Sequence, residues 1–208
     1  MSEVFAVNLE QKENLVRVGD DINLTNKDLA MRNLLVGVGW EHNAFDSEAV
    51  DVDVSCFLLD KNLLTRLDED FVFYNNPEGC GGAVKHKGDS RHGAGDGDDE
   101  TLLIDLHGLP FDVVRILIVI SIYDAIEKDQ NLSVMRNVYV RTANADTNIE
   151  LTRYEFGEHL LGKKDAGMAI LALDREGPKW HLKPMNEAYA NGLGEIAAKF
   201  GIVVAEKR

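Results

Sequence analysis

Apolar residues along this chain come in short runs, several of them alternating with polar residues at period two, and the runs end at Gly, Pro, Asn or Asp. Residues 33–40, 50–59, 71–74, 101–106, 113–122, 138–142, 149–156 and 168–173 are rich in β-branched or aromatic side chains, which predicts strands. Two stretches carry a helical pattern. Residues 24–31 suggest one short turn, and residues 186–200 place Ala188, Leu193, Ile196, Ala197 and Phe200 on one face, with Gly201 as the stop. Eight or more short strands with turn formers between them predict an all-β-dominated fold, a two-layer antiparallel β-sandwich with a C-terminal α-helix, rather than alternating βαβ units. No Pro/Ser-rich linker or internal repeat divides the sequence, so residues 1–208 read as a single domain.

The densest apolar run, residues 116–120, follows Arg115 and falls far short of the roughly 20 residues a bilayer-spanning helix needs. Residues 1–12 lack a basic segment followed by an apolar one, so no secretory signal is expected and the predicted location is cytoplasmic. Two cysteines, Cys56 and Cys80, are too few for a disulfide framework and read as reduced thiols.

Charge sharpens the picture. With 22 Lys+Arg against 36 Asp+Glu the formal net charge is −14, which excludes a nucleic-acid partner and disfavours an anionic membrane surface. The acidity is concentrated: residues 41–105 hold 16 acids and 5 bases, a net of −11. Its densest part, residues 88–100 (GDSRHGAGDGDDE), packs five acids and four glycines into 13 positions, a content that predicts a loop able to reach positive φ.

Upstream, Asp51 and Asp53 alternate with Val50, Val52 and Val54. On a strand this sends the valines to the core and sets both carboxylates on one face about 6.6 Å apart. At an effective dielectric of 20 they repel by about 2.5 kcal/mol. The loop acids Asp89, Asp98, Asp99 and Glu100 add to that repulsion, and a hard divalent cation would remove it. Calcium suits the donors best, since it accepts six to eight oxygens in loose geometry, including amide oxygens such as those of Asn75 and Asn76. The spacing is not that of an EF-hand: with Asp51 at position 1, Cys56 stands at the turn glycine and Asn62 at the terminal glutamate. The alternative reading of the same residues is a solvated edge strand beside a flexible acidic turn.

Other constellations carry less. The six-residue spacings of Cys80, His86 and His92 match no usual zinc pattern. Residues 157–164 (GEHLLGKK) come within one residue of a phosphate-binding loop, but Lys164 stands where its hydroxyl should be. A metal-dependent phosphoesterase built on the Asp/Asn/Glu cluster is the rival class. No histidine lies in register with the strand pair, so a non-enzymatic role is expected.

The order and spacing of Gly39-Trp40, VDVDVSCFLL, DFVFYNN and GDSRHGAGDGDDE, continued by Asn137 to Arg141, Leu151 to Tyr154 and Arg175 before Trp180, resemble the TerD family of tellurium-resistance and stress proteins over roughly residues 15–203. Ser90 stands where that family usually has Asn, and Glu41 where it has Asp. The resemblance implies a β-sandwich that holds more than one calcium ion in an acidic depression. It implies Asp51 and Asp53 as strand ligands, Asn75 and Asn76 as amide ligands, Asp89 opening the loop, and Asp98, Asp99 and Glu100 closing it, with Asp46 as a further candidate. It also implies a binding or scaffolding module whose partners are other proteins of the resistance or stress system, a membrane-bound one included.

Overall fold

The computed structural model describes residues 13–41, 50–89 and 97–203. Among these, the strands in chain order are β1 (Ile22–Asn23), β2 (Asn33–Glu41), β3 (Val52–Leu59), β4 (Phe71–Val72), β5 (Glu78–Gly79), β6 (Val84–Asp89), β7 (Glu100–Asp105), β8 (Arg115–Ile122), β9 (Arg136–Asn144), β10 (Glu150–Glu155), β11 (Gly167–Glu176) and β12 (Lys179–Tyr189). Short helices α1 (Leu24–Lys27) and α2 (Gly157–Leu160) join them, and α3 (Leu193–Lys199) follows β12. The strands form two six-stranded antiparallel sheets, ordered β1-β12-β11-β8-β3-β4 and β10-β9-β2-β7-β6-β5. The predicted two-layer sandwich is the observed architecture.

Strand periodicity sets the core. Val52, Val54, Cys56 and Leu58 of β3 join Leu34, Val36 and Val38 of β2 in the large buried cluster shared by the two sheets. The opposite parity of β3, Phe57 and Leu59, enters a second cluster on the outer face of the first sheet, where Ile196 and Ala197 of α3 and the following Phe200 cover it. Central strand β8 therefore faces apolar surroundings on both sides. Ile116, Ile118 and Ile120 belong to one cluster, and Leu117 and Val119 to the other, which is why its sequence runs apolar without alternation. Each such side chain buried contributes about 1.5–3 kcal/mol.

The predicted helix over 186–200 is shorter at its start: residues 186–189 belong to β12, and the helix itself spans Leu193–Lys199. Residues up to Tyr189 extend β12 and pair with Gly167, Met168 and Ala169 of β11, and the chain turns at Gly192, φ 67°, before α3 begins. Cross-strand pairing outweighs the helical pattern there. The predicted strand over 71–74 is also shorter: β4 stops at Val72, and Phe73 and Asn76 close a tight turn through reciprocal backbone bonds of 3.0 Å. Cys56 and Cys80 are both free thiols, Cys56 fully buried. Among the described residues no helix is long and apolar enough to cross a membrane.

Candidate functional site

The acidic loop connects β6 to β7. The hairpin pairs Gly88 with Thr101 and Asp89 with Glu100, and a bulge between His86 and Gly88 marks its entry. Gly88 and Gly97, at φ 68° and 72°, occupy the left-handed region that favours glycine. Asp46, Ser90, Asp96 and the side chain of Asp89 lie outside the described residues.

The three acids that close the loop go in different directions. Asp98 crosses the outer face of the second sheet. Arg141 donates to it from Nε, at 2.9 Å to each carboxylate oxygen, and from Nη2 at 2.7 Å, while the Tyr139 hydroxyl donates at 3.0 Å. Asp98 and Arg141 side chains are each only 5% exposed, so this is a buried ion pair. The residues beneath it explain the alternating glycines of β2. Gly37 pairs with Arg141 and Gly39 with Tyr139; a Cβ on Gly37 would stand 2.1 Å from Asp98 Oδ2, and one on Gly39 would stand 2.5 Å from the Tyr139 ring. Valines 36 and 38 face the core, and the intervening glycines leave room for the network outside. Arg153, bonded to Glu150, stacks over the Tyr139 ring at 4.2 Å and extends it onto β10.

Asp99 accepts a hydrogen bond from the Trp40 backbone N–H at 2.8 Å. Glu100 reaches across the sandwich: its Oε2 accepts from the Val54 N–H of β3 at 2.8 Å. His86 Nε2 lies 3.0 Å from the Val54 carbonyl and 3.2 Å from the same Glu100 oxygen. The Gly88 N–H donates to His86 Nδ1, so the neutral ring carries its proton on Nε2 and donates it forward. Two side chains of the second sheet thus satisfy both backbone groups of Val54, on the edge of β3 beyond its short pairing with β4. Burial disfavours a charged His86, but the Glu100 hydrogen bond and charge outweigh it and hold the pKa above its ordinary value.

Asp53 lies beside this crossing and is half-buried. Burial, then the charges of Glu100 and Asp51, push its carboxyl pKa up to about 6, with His86 pulling the other way. Among the described residues no hydrogen bond or ion pair neutralises it. Asp51 is exposed just before β3, and its carbonyl accepts from the Tyr123 N–H at 2.9 Å. Asn75 is exposed at the Phe73–Asn76 turn, whereas the Asn76 amide donates to the Phe71 carbonyl at 2.7 Å.

Of the predicted ligands, then, Asp51, Asp53 and Glu100 sit close enough to couple electrostatically, while Asp98 and Asp99 tie the loop to β9 and β2. Arg141, Tyr139 and Arg153 belong to the blocks that carry the family resemblance but have no site role in the sequence analysis, although the alternation of Tyr139 and Arg141 between buried valines signals a polar outer face. Among the described residues the one trio of His, Cys, Asp or Glu with ligand atoms within 4.8 Å of one another is Asp21, Glu176 and His181, away from the loop. There Asp21 already contacts His181 Nδ1 at 2.6 Å and Lys183 at 3.4 Å.

Fold and site together define an antiparallel β-sandwich with an acid-rich, glycine-rich hairpin loop pinned to both sheets. The chain belongs to the TerD domain family, whose model matches residues 13–200. It is 36% identical over 184 residues to the tellurium resistance protein TerD of Serratia marcescens, covering 88% of this chain and 95% of that one. It is likewise 36% identical over 189 residues to general stress protein 16U of Bacillus subtilis (strain 168), covering 89% and 96%. A crystal structure of a homologue of telluride resistance protein (TerD) from Streptomyces coelicolor A3(2) matches its fold at a TM-score of 0.62 and 14% identity, over 81% of this chain and 96% of that one.

Proposed function

We propose that this protein is a calcium-binding module of the tellurium-resistance and stress-response type, acting by binding or scaffolding rather than by catalysis. The observation that carries the reading is that half-buried Asp53 bears the repulsion of the Glu100 and Asp51 carboxylates and, among the described residues, has no cationic side chain bonded to it. Donors of this kind, hard anionic oxygens in mutual repulsion, suit calcium. Asp51, Asp53 and the free oxygen of Glu100 would hold an ion, with Asp89 and Asn75 as further donors. Bound calcium would supply positive charge that relieves the repulsion. The chain's own contribution is to hold those carboxylates together through the Glu100–Val54 bond and to fix the end of the loop through Asp98 and Asp99. The names of the relatives, resistance and stress proteins, support the physiological setting. Partners would be other proteins of that system, met in the cytoplasm.

Titration calorimetry of chelator-stripped protein tests the reading. Saturable heat with Ca²⁺ and at least tenfold weaker binding of Mg²⁺ are expected, with calcium affinity lost in the double variant Asp51→Asn, Asp53→Asn. Absence of calcium heat, or equal affinity for both ions, would refute it.

A further inference from the structure

A groove of about 470 Å³ runs along the outer face of the first sheet, between the end of β8, the Phe73–Asn76 turn and the start of α3. One wall is an aromatic series that begins in the core. Phe57 stacks on Phe71 at 4.5 Å and Phe71 on Phe73 at 4.3 Å, then Tyr74 meets Phe73 edge-on at 5.2 Å and Tyr123 at 6.4 Å. Leu193 and Ala197 of α3 contribute to the lining. Asp53 and Ser121, direct cross-strand partners, bring the polar groups into it. Asp124 and Glu127 add two more carboxylates, and among the described residues the groove is lined by no lysine, arginine or histidine.

Among the described residues the lining therefore pairs an aromatic surface with carboxylates as its own charged groups, and the ammonium of Lys128 already lies over the Tyr123 ring, 5.3 Å from its centroid. An anion would be repelled. A neutral apolar molecule would cover Asp53 and strip its water without offering a counter-charge, which costs free energy. A cation with an apolar body gains on both counts, through a charge-assisted hydrogen bond to the carboxylate and through contact with aromatic faces. The volume is that of a small-molecule pocket rather than of an extended interface.

We propose that this groove binds a small organic cation with an apolar body, its ammonium or guanidinium set against Asp53 and Ser121 and its body along Phe73, Tyr123 and Leu193. This site shares Asp53 with the calcium reading but does not depend on it, and it is tested on calcium-free protein.

The test is a ¹H–¹⁵N NMR titration of the full chain in chelator with phenethylammonium and, as the uncharged probe of similar shape, 2-phenylethanol. Saturable shifts are expected at the amides of Asp53, Ser121, Tyr123 and Leu193, with the amine binding at least tenfold more tightly than the alcohol. Asp53→Asn should reduce the amine to the affinity of the alcohol. Tyr123→Ala, which leaves the carboxylate in place, should weaken the amine several-fold and serves if the first variant fails to fold. Equal affinity for the two probes, unchanged binding in either folded variant, or shifts confined to residues away from the groove would overturn the proposal. Amine binding without calcium heat defeats the calcium reading alone, and calcium heat without amine binding defeats this one alone.

Discussion

The guanidinium of Arg141 clasps the carboxylate of Asp98 over the bare α-carbon of Gly37, with three nitrogen–oxygen contacts of 2.7 to 2.9 Å. Both groups are nearly out of water, so the pair anchors the C-terminal end of the acidic loop to β9.

Breaking that pair should be costly. Arg141→Met leaves a buried carboxylate without its counter-charge, and we expect a loss of about 3–5 kcal/mol in urea denaturation. Replacing both partners with leucine should recover much of it, because no charge is then stranded. Gly37→Ala drives a methyl group into Asp98 and should cost about 1–3 kcal/mol by displacing the side chain. A loss below about 0.5 kcal/mol in Arg141→Met would mean that the pair does not anchor the loop.

The bond from Glu100 to Val54 joins the two sheets, and its loss should be local. Glu100→Ala removes the acceptor of the Val54 N–H at a cost of about 1–3 kcal/mol. Glu100→Gln, which keeps an acceptor oxygen, should cost less. Amide hydrogen exchange at Val54 reads the difference: protection should drop by about tenfold or more in the alanine variant. Unchanged protection would show that the amide is held by something else.

Asp53 makes the metal-free protein sensitive to pH in an unusual direction. Its folded pKa of about 6 lies above the unfolded value of 3.8, so between those values the native state binds more protons. In chelator, the contribution of this group to stability should therefore rise as pH is lowered from 7 through 6 toward 4. Asp53→Asn should flatten that rise and stabilise the protein at pH 7 by about 1 kcal/mol, the partial exposure of the group reducing the effect. Calcium held by this carboxylate reverses the sign, and its apparent affinity should fall below pH 6. Thermal melts across pH 4–8, with and without calcium, check both trends; identical profiles for the parent chain and the variant would contradict them.

How much of this could be read before the structure depends on whether a feature is local. The alternation of Val36, Val38, Val52 and Val54 marks β2 and β3 because side chains on a strand switch faces at every residue. The unbroken apolar run of β8 signals burial on both sides, which the second cluster under α3 confirms. By contrast, Val84–Asp89 carries two lysines and a histidine, a pattern that predicts no strand; it is one because it adds to β7. In β12, Pro184 falls near the register shift against β11, where a missing N–H is tolerated, so a residue that argues against a strand sits in one.

The acids show where local reading stops. Asp98, Asp99 and Glu100 are consecutive, and their composition predicted one shared role. They serve three separate tasks: an ion pair to β9, a bond to the Trp40 amide, and a bond across the sandwich to Val54.

Periodicity and composition were enough to define a two-layer β-sandwich with its acidity concentrated in residues 41–105 and densest in one glycine-rich loop, because strand pleat and glycine content act over a few residues. Which acid meets Arg141, which meets Val54, and that Asp53 is left beside an aromatic groove depend on contacts between residues tens of positions apart. Such contacts exist only once two sheets have packed and their registers are set, and no local pattern encodes them.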